Sequence, residues 1–233
     1  QQRFASDAAH ELRTPLTALK LQVQLAQRAK TPEAQQKCFS RLNEGINRAT
    51  RLVQQLLTIA RLDPDASKKP MTTINLAELV KSVRDDMAPI AAQKNIEITE
   101  DARPAMLDGM EDAIRLMVTN LTDNAIRYTP EGGRIEITSS TEHGLSVLRV
   151  CDNGPGIAPK ERSRVFDRFY RALGTKTSGT GLGLAIVKRI VDIHHGTVEI
   201  EDGLDGRGTI FKLSFPPLGA SSHHTAAVPS SRI

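Results

Sequence analysis

Three groups of residues in this 233-residue chain have the types and spacings that could do chemistry. The first centres on a histidine near the start. Read as a helix, residues 4 to 26 place Phe4, Ala8, Leu12, Leu16, Leu19, Val23 and Ala26 at steps of four and three, an amphipathic seam. His10 lies two residues from both Ala8 and Leu12, roughly 200° round the helix from that seam, so it faces water. An exposed imidazole, with an ordinary pKa of about 6.5, is largely unprotonated at neutral pH and can act as a nucleophile. Glu11 could orient one ring nitrogen, or take its proton, while the other attacks. Thr14 follows at i+4 on the same face. Pro15 disturbs the carbonyl of Glu11 and predicts a bend just after His10. A lone exposed histidine is usually only a solvated side chain; these companions weigh against that reading.

The second group lies on a helix near residue 120. Asn120, Asn124 and Arg127 fall within about 60° of arc, while Ile114, Val118, Leu121 and Ala125 occupy the opposite arc. Carboxamide oxygens can complete the oxygen shell of Mg²⁺, and a guanidinium can neutralise a phosphate. The third group is rich in glycine. Asp152-Asn153-Gly154-Pro155-Gly156 follows an apolar strand, where a strand-end carboxylate can accept from an exocyclic amino group and glycines let backbone approach a flat base. Gly179-Thr180-Gly181-Leu182-Gly183 exposes backbone amides at the start of a helix, where an anion is welcome. This run follows a loop near the end of the chain rather than an early strand, against a Rossmann unit, and it lacks the Gly-Lys-Ser/Thr of a Walker loop.

Taken together these stretches resemble the boxes of sensor histidine kinases of two-component systems. His10-Glu-Leu-Arg-Thr-Pro-Leu-Thr is similar to the H-box, and the preceding Phe4-Ala-Ser-Asp-Ala-Ala is most similar to the quorum-sensing and tricarboxylate-sensing branch. Asn120-Leu-Thr-Asp-Asn-Ala-Ile-Arg-Tyr-Thr-Pro resembles the N-box, Asp152 to Ile157 the G1 box, Val165 to Arg171 the F-box, and Gly179 to Ile186 the G2 box. All five stand in the family's order. The resemblance implies that His10 carries a phosphoryl group taken from ATP, with Glu11 as general base and Thr14 positioning water when the protein works backwards as a phosphatase. It implies further that ATP is held by Asn120, Asn124, Arg127, Tyr128, Asp152, Gly154, Gly156, Arg171, Thr180, Gly181, Leu182 and Gly183. Asn124, with Asn120 close by, would hold Mg²⁺; Tyr128 would lie near the base or ribose, Asp152 would select adenine, and Arg171 would meet phosphate. The family often has Lys at position 127, and Arg keeps the charge but not the point-like geometry. The implied partners are a second copy of the chain and a response regulator, of the winged-helix DNA-binding class, whose aspartate receives the phosphoryl group. Chaperone, mismatch-repair and topoisomerase ATPases share the ATP fold and are the rival reading, but they normally have Glu where Asn120 stands. A nucleotide-binding regulatory dimer without turnover is a third.

The elements that must position these groups follow from pattern. Residues 2 to 29 and 33 to 62 read as two helices, with Thr31 an N-cap and Pro32 a first helical residue. The second carries Phe39, Leu42, Ile46, Ala49, Val53, Leu56 and Ala60 at alternating steps of three and four, a coiled-coil seam. One such hairpin buries too little alone, which predicts a homodimeric four-helix bundle over residues 1–66. Asp63 to Pro70 reads as a linker. Beyond it the pattern predicts strands at Ile74 to Leu76, 96–99, 134–139, 145–151, 196–201 and 209–215, with helices at 76–93, 110–128 and 181–194. That is an α/β sandwich with a mixed sheet over residues 67–217. Residues 172–180 read as a mobile lid, and 218–233 as a disordered tail in which His223 and His224 are solvated.

Composition narrows the classes. Net charge is +4, but aromatics are 3% and tryptophan is absent, so nothing resembles a stacking groove for nucleic acid. Cys38 and Cys151 have no metal-ligand spacing and read as reduced thiols. No run of about 18 apolar residues is present. The chain opens inside a helical pattern, which with the resemblance predicts the cytoplasmic portion of an inner-membrane sensor, making no membrane contact of its own.

Overall fold

The computed structural model describes residues 2–61, 71–171, 180–203 and 206–219, and the chain divides into two compact units, residues 1–66 and 67–233. The first is a hairpin of α1 (Gln2–Arg28) and α2 (Pro32–Arg61). The turn closes as its residue types dictate: Thr31 Oγ1 accepts from the Ala34 N–H at 3.2 Å, and Pro32 opens the helix with its missing N–H at a position that needs none. α1 is continuous through Pro15. Leu16, Val23, Phe39, Ile46 and Val53, all on the apolar seams, are 41–58% exposed in the single chain. Apart from Gly45, only Ala26 and Leu52 among the described side chains of this unit are buried. The hairpin therefore does not cover its own apolar face.

The second unit begins with β1 (Thr72–Asn75), one residue short of the expected Leu76, which instead opens α3 (Leu76–Ala92). Asn75 ends the strand because its side chain accepts from the Ala77 N–H at 3.1 Å, an N-cap. β2 (Glu97–Ala102), β3 (Met106–Gly109), α4 (Glu111–Tyr128), β4 (Arg134–Glu142) and β5 (Leu145–Asp152) follow. A single 3₁₀ turn at Pro159–Glu161 precedes α5 (Gly183–Ile193), β6 (Thr197–Asp202) and β7 (Thr209–Phe215). The five-stranded sheet has the order β2-β4-β5-β7-β6, with β2 parallel to β4 and every other pair antiparallel, so the sheet is mixed. β7 shows why one face is covered: Phe211, Leu213 and Phe215 alternate inward and are at most 2% exposed. The three helices close over this core with Leu76, Val80, Ile114, Leu121, Ile186 and Ile190, none of which retains accessible surface.

β3 is a strand the sequence did not announce. It pairs antiparallel with β1, with Ile74 opposite Leu107, and both side chains are buried. The start of the last helix also moves, from the expected 181 to 183, because Gly181 takes a left-handed φ of 69°. The linker at 62–70, the lid at 172–179 and the tail from 220 lie outside the described residues. Gly219, within the stretch expected to be unpacked, donates its N–H to Asp108 at 3.1 Å.

Candidate nucleotide site and phosphoacceptor helix

α4 presents two faces. Ile114, Val118, Leu121 and Ala125 are at most 2% exposed, while Asn120, Asn124, Arg127 and Tyr128 are half-buried. The Asn120 amide nitrogen donates to the Leu116 carbonyl at 2.9 Å, which leaves its oxygen facing outward from that bond. A Cβ on Gly183 would stand 3.1 Å from this oxygen, so Asn120 of α4 and the first residue of α5 are immediate neighbours. Arg127 is held by Asp123 one turn earlier, at 2.6 Å, an interaction the expectation of a simple phosphate contact did not include.

Asp152 ends β5 with its side chain only 4% exposed. Its carboxylate accepts from the Gly154 N–H at 2.9 Å and from the backbone N–H of Thr209. Burial pushes its pKa up, and the two backbone bonds oppose that shift without abolishing it. Two amide donors leave lone pairs unspent on this buried carboxylate. The loop around it is packed backbone on backbone. A Cβ on Gly154 would meet Tyr128 O at 3.0 Å, and one on Gly156, at φ 77°, would meet Gly208 O at 2.9 Å. Gly203 and Gly208 lie against the Asp152 carbonyl itself. Asn153 fixes the loop from the other side: its Oδ1 accepts from the Arg134 N–H at 2.8 Å.

The F-box segment is anchored to the sheet by Phe166, whose ring meets Phe211 edge-on at 6.4 Å. Arg164 stacks 4.5 Å over the ring of Tyr170, and the Tyr170 hydroxyl bonds Glu161. Phe169 donates its N–H to Gly181 O at 2.9 Å, so the two ends of the 172–179 segment are tied together. Arg171 is exposed at the last described residue before that segment. Thr180 Oγ1 accepts from the Leu182 N–H at 3.3 Å, Leu182 is fully buried, and the first turn of α5 carries no acidic side chain. The positive end of the helix dipole is left uncompensated by carboxylate there.

These residues fit an adenine nucleotide with a magnesium ion. The buried Asp152 carboxylate keeps acceptor capacity for an amino group, and Gly154 and Gly156 let the backbone pack closely enough to hold that carboxylate in place. The hard oxygen of Asn120 stands beside a helix N-terminus suited to phosphate. Among the described residues no cluster of three or more His, Cys, Asp or Glu could hold a metal. Asn120, Asn124, Arg127, Tyr128, Asp152, Gly154, Gly156, Arg171, Thr180, Gly181, Leu182 and Gly183 all belong to the second unit. His10, Glu11 and Thr14 lie on α1 in the first, and their side chains lie outside the described ones.

Sequence reasoning gave Asn153 no role of its own and missed Gly203, Gly208 and Thr209, all of which shape the Asp152 loop. The glycine-rich Gly203-Leu-Asp-Gly-Arg-Gly-Thr before the last strand was the available clue. It also missed Lys94 and His194, which bond to backbone groups at the two ends of α4. Cys151 next to Asp152 is inert: burial pushes its thiol up to about 12.

Known families match both units. HATPase_c, described as "Histidine kinase-, DNA gyrase B-, and HSP90-like ATPase", matches residues 109–219, and HisKA, the "His Kinase A (phospho-acceptor) domain", matches residues 1–65. Sensor protein kinase PmrB of Pseudomonas aeruginosa is 40% identical over 217 residues, 93% of this chain and 46% of that protein. The cytoplasmic segment of histidine kinase QseC is 32% identical with a TM-score of 0.51, covering 74% of this chain and 95% of that one. Histidine kinase ThkA, in its complex with response regulator protein TrrA, is 25% identical with a TM-score of 0.73, covering 92% and 61%. The chain belongs to the sensor histidine kinase family, with a phosphoacceptor hairpin and an ATPase-type α/β domain. It spans about half the length of the curated relatives it matches.

Proposed function

We propose that the α/β unit binds ATP with Mg²⁺ and that the γ-phosphoryl group passes to His10 and then to an aspartate of a response regulator. The observation that carries the reading is the pairing, in one chain, of a phosphoacceptor-type helix bearing His10 with the Asp152, Asn120 and Gly183 constellation. A ring nitrogen of His10 forms the bond to phosphorus as the bond to the β–γ bridging oxygen breaks and ADP leaves, while Glu11 accepts the ring proton. Arg127, Arg171 and the amides at the start of α5 neutralise phosphate charge, Tyr128 lies by the base or ribose, and Asp152 accepts from adenine. Bound Mg²⁺, held by Asn124 and Asn120, would supply charge neutralisation at the phosphates.

The exposed seams of α1 and α2 support a homodimer in which two hairpins make a four-helix bundle. The ThkA–TrrA complex supports a regulator partner. That regulator is assigned to the winged-helix DNA-binding class on the sequence resemblance alone, as is the phosphatase role of Thr14. The likeness to the cytoplasmic segment of QseC supports placing this portion on the cytoplasmic side of an inner-membrane protein.

Incubation with γ-labelled ATP tests the scheme. Acid-labile, base-stable label on the wild type, absent from His10→Gln although that variant binds nucleotide within a few-fold of wild type, is the expected result. Free phosphate released without protein label would instead favour the clamp-type ATPases, although Asn120 occupies the position where those carry a water-activating Glu. Binding with neither product would favour a regulatory dimer.

A further inference from the structure

We propose that Lys94 is a positioning residue for the nucleotide site, acting through the last turn of α4; the proposal rests on the nucleotide reading of that site. Lys94 stands in the turn after α3. Its backbone is fixed by a Schellman closure, in which Ile96 N–H reaches Ala91 O and Asn95 N–H reaches Ala92 O, each at 3.0 Å, with Asn95 left-handed at φ 52°. The half-buried side chain then runs to the C-terminus of a different helix. Lys94 Nζ donates to Ile126 O at 2.7 Å, to Thr129 O at 2.8 Å and to Arg127 O at 3.3 Å.

The match is chemical as well as geometric. A helix ends with carbonyls that have no partner of their own and carry partial negative charge, and an ammonium group has three donors and a full positive charge. Thr129 N–H still reaches Ala125 O, so the carbonyls just beyond are those that need an outside donor. The neighbouring residues reinforce the junction: Gly132 N–H donates to Lys94 O at 3.2 Å, Asn95 Nδ2 to Glu131 Oε1 at 2.9 Å, and Glu97 N–H to Gly133 O at 3.0 Å.

The turn so held carries Asn124, Arg127 and Tyr128. Tyr128 sits between two of the carbonyls that Lys94 grips, and its own carbonyl lies 3.0 Å from where a Gly154 side chain would begin. Gly154 in turn donates to Asp152. One ammonium therefore sets the end of the asparagine helix and, through Tyr128, the loop of the buried carboxylate. Lys94 touches neither the base nor the phosphates in this scheme.

The test is calorimetric titration of the whole chain with the magnesium complex of the β,γ-imido analogue of ATP, at a temperature where every variant is folded. Lys94→Met removes all three donors and keeps the apolar stem; Lys94→Arg keeps the charge but presents a planar fork that cannot meet three carbonyls at once. Arg84→Met is the control, since it removes a different cation, one on α3 that pairs with Glu100 of β2 at 2.6 Å and does not reach α4. The expected result is a Kd raised at least about fivefold in Lys94→Met and about threefold in Lys94→Arg, with Arg84→Met within about twofold of wild type. In labelling assays the loss should appear in KM for ATP rather than in kcat. Wild-type affinity in Lys94→Met, or in Lys94→Arg should the first variant not fold, overturns the proposal. So does an equal loss in Arg84→Met, which would reduce Lys94 to general stability, or a loss confined to kcat. A wild-type chain that binds no analogue overturns the nucleotide reading itself.

Discussion

Replacing Gly183 with alanine should strengthen the fold while weakening nucleotide binding, because the two effects act through different atoms. Gly183 opens α5 with a helical backbone that alanine adopts without strain, so the change narrows the unfolded ensemble and stabilises by about 0.4–1 kcal/mol. For a domain of this size that raises Tm by roughly 1–4 °C. The new Cβ, however, would stand 3.1 Å from Asn120 Oδ1 and 3.9 Å from its Cγ, so the carboxamide must give by a few tenths of an ångström. It can give by that much without breaking the bond from its nitrogen to Leu116 O at 2.9 Å, so the fold keeps the gain while the oxygen is displaced. Mg²⁺ holds oxygen ligands at about 2.0–2.1 Å in near-ideal octahedral geometry and tolerates such displacement poorly. A tenfold loss of affinity, about 1.4 kcal/mol, is the expected scale. Titration with the imido analogue should show that loss in the presence of Mg²⁺ and less than about twofold change in EDTA, while calorimetry shows Tm unchanged or raised. Equal losses with and without Mg²⁺ would refute the reasoning, because the methyl group would then be acting on the amides that face phosphate and not on Asn120.

Gly208→Ala should cost about 3 kcal/mol or more in chemical denaturation, since Gly208 combines φ 81° with backbone of Asp152 and Asn153 where its side chain would go. Gly132→Ala, at φ 75° with nothing within 4 Å, should cost only about 1–2 kcal/mol, and similar losses at the two sites would contradict the packing argument. Burial holds the His194 pKa below its ordinary value, so the ring is neutral in the fold while the unfolded chain takes up a proton near pH 6.5. The unfolded state then binds more protons as pH falls, and this contribution to stability is complete above about pH 6.5 and shrinks below it. Denaturant titrations at about pH 7.5 and 5.5 should show the difference in wild type and a smaller one in His194→Gln; identical differences would argue against it. The raised Asp152 pKa acts with the opposite sign from the carboxylate range upward, which is why the comparison is made between the two proteins. Thr14→Ala should spare self-phosphorylation and slow dephosphorylation of the regulator at least about tenfold, roughly 1.4 kcal/mol of barrier, while Glu11→Gln should do the converse. Equal effects of Thr14→Ala on both activities would mean that this face of α1 is not divided in that way.

Periodicity was enough for the long elements. Both hairpin helices, α3 and α4 lie within about two residues of the spans their apolar spacing predicts, and Thr31-Pro32 marked the turn correctly. Short elements stabilised by contacts distant in sequence were not legible. Met106-Leu-Asp-Gly has no alternation to read, and it is a strand only because Ile74 lies opposite Leu107 and both are buried. In the site, the apolar and polar arcs of α4 could be read directly, since burial at Ile114, Val118 and Leu121 follows from the helical period. The Asp123–Arg127 pair could have been read from its i, i+4 spacing. The approach of Gly208 to Asp152 could not, because it joins the end of β5 to the residue before β7, a neighbourhood that exists only after the sheet has formed.

The same division explains how α4 is placed. Its start is fixed by His194, which accepts the Met110 N–H on Nε2 at 3.0 Å while Nδ1 donates to Ile190 O at 2.7 Å, so a neutral ring satisfies both partners. A Cβ on Gly109 would strike this ring at 2.9 Å, so the glycine before Met110 lets the two helices close on it. The middle of α4 meets α5 where Asn120 lies against Gly183. From Met110 to Asn120 is ten residues and from Gly183 to His194 eleven, about 15 and 16.5 Å of helix at 1.5 Å per residue, so the two contacts agree on one antiparallel register. Its end is gripped by Lys94. The motif residues thus occupy one face of a helix whose axial position is set by a histidine and a lysine outside every motif, each satisfying backbone groups at a helix end. A substitution at either should displace Asn120 and Asn124 together along the helix axis, whereas substitutions within the boxes remove one ligand at a time.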